Sequence, residues 1–305
     1  MNIPLFLQKF KLPLLFFSSY FFLANAQLTY IQQYCYNDFG TYSVLSNYSS
    51  NIVTSINELA SKASTTYYNN YTTGIGDVQV NAFYSCRYDI PLSVCQSCVA
   101  SAANNVSWCI SSVESLIAYE ECTLHYSNRS IFSVMEELPT LYHLSSNSAL
   151  DELHFSQALD NLVTGLIFDV GREFLTSSRY FATTKVTYSS SENIYALAQC
   201  NPDITSFECK TCLEFGYQNF TRNYTGRVYG QIFMPSCRLS YILSSEEPSP
   251  PWRFAETFDQ IRHQVRKRRF SPRVDFTSTG TRGSPIIYAI IVSICTVALS
   301  LKLLF

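Results

Sequence analysis

The sequence predicts an α+β protein made of two tandem disulfide-stapled domains, followed by a single-span C-terminal helix. Three observations carry this expectation. The 305 residues suffice for two domains of roughly 100–200 residues each. Ten of the 11 cysteines fall between positions 35 and 237, in a spacing that occurs twice. Residues 286–305 form an apolar run in which Lys302 is the one charge.

The N-terminal segment reads as a secretory leader. Lys9 and Lys11 form a basic start, Leu12 to Leu23 an apolar core, and Ala24-Asn25-Ala26 a small-residue cleavage site. Residues 1–26 are therefore assigned to a signal peptide and Gln27 to the start of the mature chain. In an oxidising compartment, an even set of ectodomain cysteines reads as disulfide partners. Six Asn-x-Ser/Thr sequons at Asn47, Asn70, Asn105, Asn128, Asn219 and Asn223 point to N-glycosylation in the same compartment.

The repeat is written in cysteine. Cys86-(x8)-Cys95-(x2)-Cys98 is matched 114 residues later by Cys200-(x8)-Cys209-(x2)-Cys212. Asp89-Ile90 matches Asp203-Ile204, Ala82 matches Ala196, and Cys122-x-Leu124-x-Tyr126 matches Cys237-x-Leu239-x-Tyr241. An internal duplication explains this common order. It places one domain at residues 27–135, a linker at 136–147 and a second domain at 148–245. Cys35 and Cys109 have no counterparts in the second copy, where Asn223 stands at the position matching Cys109. Joint loss marks them as partners. The other cysteines of each copy allow three connectivities, and spacing alone does not choose among them.

Local patterns give both helices and strands. Over residues 51–63, Ile52, Ile56, Leu59 and Ala63 share a helical face. Over residues 155–175, Leu159, Leu162, Val163, Leu166 and Phe174 do the same. Thr205-x-x-Glu208 forms a capping box ahead of a helix carrying Cys209 and Cys212. The alternating, Tyr- and Leu-rich segments around Cys122 and Cys237 read as strands. Domains of about 100 residues bury only a small core, which disulfides supplement.

The segments CRYDIPLSVCQSCV and CNPDITSFECKTCL, with RYFATTKVTY and NIYALAQC before the second and CTLHYSNRSIF after the first, resemble the plant ginkbilobin-homologous, or stress-antifungal, cysteine-rich domain. Tandem copies behind a leader resemble cysteine-rich repeat secretory proteins, plasmodesmata-located proteins and the ectodomains of cysteine-rich receptor-like kinases. The resemblance implies an antiparallel sheet packed on two helices in each domain. It also implies the pairs Cys35–Cys109, Cys86–Cys95, Cys98–Cys122, Cys200–Cys209 and Cys212–Cys237. Some members bind mannose through an Asn, an Arg and a Glu. Counted along this chain, those positions hold Tyr36, Leu116 and Ser127 in the first domain; Gln231 and Ile242 stand at the latter two in the second. None matches, so mannose recognition by that chemistry is not expected.

Charge and motif content narrow the function classes. Residues 27–245 carry ten Lys and Arg against 18 Asp and Glu, an acidic balance that argues against nucleic-acid binding. Residues 246–284 carry eight basic against five acidic residues and read as a stalk, with Arg266-Lys267-Arg268-Arg269 as a solvated charge run or a processing site. Residues 286–305 are long enough to span a bilayer as a transmembrane helix; a lipid-anchor signal is the alternative. None of the four histidines sits in a metal-binding spacing, and neither a phosphate-binding loop nor a kinase domain is present in the sequence. The doublets Glu120-Glu121, Glu136-Glu137 and Glu246-Glu247 are sequence neighbours and give no acid/base pair. Tyr67 to Tyr71 form a candidate contact patch, with ordinary strand aromatics the blander explanation. The expectation is a non-enzymatic binding and signalling protein without cofactors, facing the cell wall from the plasma membrane, with plasmodesmata as one location. Cell-surface proteins or cell-wall carbohydrate are the expected partners, and a homo- or hetero-oligomer with related ectodomains is left open. A secreted antifungal carbohydrate-binding effector and a kinase-less receptor ectodomain are the alternatives.

Overall fold

The computed structural model describes residues 28–171 and 180–248. The leader, the Phe174 end of the helix expected over 155–175, the stalk beyond residue 248 and the apolar run 286–305 lie outside the described residues. Among those described, no helix is long and apolar enough to cross a membrane.

The first repeat comprises strand β1 (Tyr30–Thr41), helix α1 (Asn47–Lys62), β2 (Tyr68–Thr73), β3 (Val80–Cys86), α2 (Leu92–Asn105), β4 (Ser112–Tyr119) and β5 (Cys122–Ser127). The second repeats this order as β6 (Leu141–Leu144), α3 (Glu152–Val170), β7 (Phe181–Thr187), β8 (Asn193–Cys200), α4 (Ser206–Asn223), β9 (Tyr229–Phe233) and β10 (Cys237–Ser244). Both sheets have five antiparallel strands, in the orders β1-β4-β5-β3-β2 and β6-β9-β10-β8-β7. Each repeat is thus an α+β layer of one sheet and two helices.

Capping residues set the helix limits. Ser46 accepts a hydrogen bond from the Ser49 amide, so α1 begins four residues before the apolar stripe suggests and also buries Tyr48. Asp151 accepts from the His154 amide, and Gly171, whose amide bonds the Ile167 carbonyl, closes α3. Thr205 and Glu208 form the reciprocal capping box of α4. The second sheet recruits Leu141–Leu144 from the segment read as linker, because these residues pair with β9.

Disulfides join Cys35 to Cys109, Cys86 to Cys95, Cys98 to Cys122, Cys200 to Cys209, and Cys212 to Cys237, with Cα separations of 5.4–6.2 Å. In each repeat two of them tie strands to the shorter, cysteine-bearing helix, and Cys35–Cys109 ties β1 to the turn after α2, around a core that includes Ile52, Leu59, Ile117 and Leu124 in the first copy. The equivalent core of the second includes Phe155, Val163, Leu213 and Leu239. On the loop-entropy account, closing the 74-residue separation between Cys35 and Cys109 is worth about 4 kcal/mol.

The sheet faces turned away from the helices meet each other. Leu116 and Ala118 of β4 pack with Leu141 of β6 and Phe233 of β9. The buried Gln199 side chain donates to the Cys86 carbonyl at 2.8 Å and accepts from the Tyr88 amide at 3.1 Å. Arg238 donates to the Glu120 carbonyl at 2.8 Å, while Gln231 donates to the Glu120 carboxylate at 3.3 Å. The Ser133 amide reaches Asp203, and Glu136 and Ser236 bond reciprocally through their amides.

Gln199→Ala would leave the buried Cys86 carbonyl and the half-buried Tyr88 amide unpaired, at a cost of about 1–3 kcal/mol. The expected outcome is a lower denaturation midpoint under non-reducing conditions, followed by circular dichroism.

Candidate functional site

Two polar assemblies stand out in an otherwise apolar structure. The first lies between the repeats. Arg87 forms a bidentate pair with Asp89, at 2.9 and 2.5 Å, and places its third guanidinium nitrogen 3.6 Å from Glu120. Arg238 lies fully within the interface. Burial first, and then the like charge of Arg87, push its guanidinium down to about 9, with Asp89, Glu121 and Glu120 opposing. Glu121 accepts from the Thr29 amide and so pins the chain ahead of β1. The acidic doublet Glu120-Glu121 is therefore part of the domain junction.

The second assembly lies on β4 and β5. The register sets Tyr36 opposite Glu114, and Glu114 opposite Ser127. Ser127 Oγ donates to Glu114 Oε2 at 2.8 Å, and His125 Nε2 lies 3.0 Å from Glu114 Oε1. Arg129 makes two bonds to the same carboxylate, at 3.0 and 2.9 Å, and a further one to Glu136. Burial alone would push the Glu114 carboxyl up. The hydrogen bonds from His125 and Ser127 and the charge of Arg129 outweigh it and hold the group down at about 2. Potential ligand atoms of Glu114, His125 and Glu136 lie within 4.8 Å of one another. Arg129 already bonds both carboxylates, so the cluster carries its own cation and reads as an ion network.

The positions counted for sugar recognition do not assemble. Tyr36 and Ser127 share a row, but Glu114 stands between them. Leu116 is buried at the junction opposite His125. Gln231 and Ile242 are buried in the second sheet. The Tyr67–Tyr71 patch is absorbed by packing: Tyr67 donates to the Ile90 carbonyl, Tyr68 lies against Phe83, and Tyr71 lies beneath Lys62. Among the sequons, Asn47, Asn70, Asn128 and Asn223 are exposed and Asn219 is half-buried. Asn105 is also half-buried, and its amide donates to Tyr119 at 2.8 Å.

Sequence reasoning missed Arg87, Glu114, Arg129, Gln199 and Arg238. A usable signal exists for three of them: Arg87, Gln199 and Arg238 are immediate neighbours of the disulfide cysteines Cys86, Cys200 and Cys237.

The family model described as salt stress response/antifungal matches residues 34–129 and 143–244. The chain belongs to this family. Within the salt stress response/antifungal family, the chain is 34% identical over 222 residues to cysteine-rich repeat secretory protein 1 of Arabidopsis thaliana, covering 71% of this chain and 64% of that protein. It is 32% identical over 243 residues to cysteine-rich receptor-like protein kinase 25 of the same plant, covering 77% of this chain but 36% of the kinase. The chain thus spans less than two thirds of either relative. The tandem ectodomain of the Arabidopsis cysteine-rich receptor-like protein PDLP8 has the same fold, with a TM-score of 0.60 and 19% identity, covering 72% of this chain and 99% of that one. The corresponding PDLP5 ectodomain matches with a TM-score of 0.56 and 22% identity, covering 71% and 100%. The relatives are secreted or receptor-like proteins, consistent with an extracellular or membrane-anchored setting for this family member.

Glu114 gives a pH prediction with a definite sign. A carboxyl held at about 2 in the fold, below its ordinary 4.5, contributes stability that is fully present above pH 4.5 and lost as the pH falls toward 2. Glu114→Gln is expected to lower the melting temperature at pH 7, with the gap to the parent closing in that acid window. Glycopeptide mass spectrometry is expected to find Asn105 unoccupied and the exposed Asn70 and Asn128 occupied.

Proposed function

We propose that this protein is a non-enzymatic binding and signalling protein of the plant cell-wall space. It is held at the cell surface through residues 286–305 and operates at plasmodesmata in cell-to-cell communication or defence. The observation that carries the reading is the pair of stapled domains joined through a buried polar junction, a tandem arrangement similar to two solved receptor-like ectodomains. The charged clusters support it. Glu114 is held ionised by His125, Ser127 and Arg129, and the charges of Arg87 and Arg238 are spent at the domain junction, so their role is to hold the fold. The likeness to the receptor-like kinase covers only 36% of that protein, so no phosphoryl transfer is carried over. Sugar recognition by the mannose-type set is the weaker reading, because Tyr36, Glu114 and Ser127 occupy that row.

A fluorescent fusion expressed in leaf epidermis is expected to give discrete spots across the cell wall that coincide with the channels. Uniform surface or vacuolar signal would overturn the location. Resistance to release by phosphatidylinositol-specific phospholipase C is expected of a transmembrane span; release would assign a lipid anchor.

A further inference from the structure

The two repeats differ where the long helix meets the edge of the sheet. In the first, that space is bridged by side chains. Asn51 of α1 donates to the Val78 carbonyl at 2.8 Å, Ser55 donates to Thr73 of β2 at 2.8 Å, and Lys62 covers the ring of Tyr71. In the second, His154 stacks on Tyr188 and Tyr188 donates to the Asp151 carbonyl at one end, and beyond them the equivalent space between α3 and β7 is an open groove of about 540 Å³. Its helix wall presents Gln157, Asn161, Leu162, Gly165, Leu166 and Asp169. Its other wall is Thr184, Lys185 and Val186, three consecutive residues of β7. Neighbouring side chains of a strand point to opposite faces, so a wall of consecutive residues is the strand's edge. Among the described residues β7 is the last strand of its sheet, and that edge faces no further strand of it.

Gly165 marks the groove independently. Glycine weakens a helix interior relative to alanine. Packing does not demand it here, because a Cβ at this position would meet nothing within 4 Å. The missing side chain keeps the floor of the groove open.

From these observations we infer that the α3–β7 groove binds an extended peptide of a partner protein, which adds to β7 as a sixth strand. The proposal rests on the binding role put forward above and names its site. An open strand edge offers a row of main-chain donors and acceptors, and alternate peptide side chains then fall on the helix floor. Leu162, Leu166 and Val186 make that floor apolar, so alternate peptide residues are apolar. Lys185 of the strand wall is already paired with Glu247 at 3.0 Å, so the Asp169 carboxylate, on a mature chain with excess acid, selects a basic residue at the end nearest it. The equivalent edge strand β2 carries the exposed sequon Asn70, whereas β7 carries no sequon.

The test pans a phage-displayed random heptapeptide library on the full-length protein purified from a plant expression host. Selected peptides are expected to alternate apolar residues and to carry Lys or Arg. Gly165→Leu, which fills the groove, and Asp169→Lys are each expected to weaken them at least tenfold by calorimetry, with unchanged melting temperature. Gly165→Ala keeps the test open should the leucine variant not fold, with a smaller loss of affinity in a more stable helix. N-methylating alternate peptide amides is expected to abolish binding in one register and spare it in the other. Peptides that bind Gly165→Leu as well as the parent, or that tolerate N-methylation in both registers, would overturn the groove while leaving a binding role to other surfaces. Selection of no peptide at all would count against both. An oligosaccharide on a glycan array whose binding Gly165→Leu alone removes would reassign the groove to sugar and overturn the peptide.

Discussion

Side chains alternate along a strand, so a cysteine fixed by a disulfide on the helix side aims its neighbour at the opposite face. This constraint organises the molecule. Cys86, Cys122, Cys200 and Cys237 are each tied toward a helix, and Arg87, Glu121, Gln199 and Arg238 stand directly beside them. The staples therefore do more than restrict the unfolded chain. They aim Gln199 and Arg238 across at the first repeat, and Arg87 and Glu121 at the carboxylate and chain that frame that contact, so the domain junction inherits the geometry of the covalent links.

The junction also shows how a duplicated domain became a specific pair. Positions that match in the cysteine frame differ in chemistry: Ser85 against Gln199, Thr123 against Arg238, Glu121 against Ser236. At these positions the first copy supplies the acceptors, Glu120 and the Cys86 carbonyl, and the second supplies the long donors that reach across to them. Buried ionic groups seldom add much net stability, but removing one partner is costly.

Legibility from sequence follows the range of the interaction. The Ile52–Ile56–Leu59 stripe and the Thr205–Glu208 box are local, so their helices can be read directly. The start of α1 cannot, because Ser46 caps a polar turn that hides the buried Tyr48. Strand β6 is invisible in a segment that reads as a connector, since its partner β9 lies about ninety positions away. The junction contacts are more distant still, with Gln199 and Cys86 separated by 113 residues and Arg238 and Glu120 by 118. The Glu114 network depends on strand register, which places Tyr36, Glu114 and Ser127 in one row where counting along the chain had put Leu116.

The recruitment of Leu141–Leu144 into the second sheet has a mechanical consequence. The connector is used up as a strand and anchored at Glu136 and Ser236, so little slack remains between the repeats for a swivel. The pair then acts as a spacer of fixed length and angle. The orientation of one repeat to the other is set by the fold and not by diffusion on a tether.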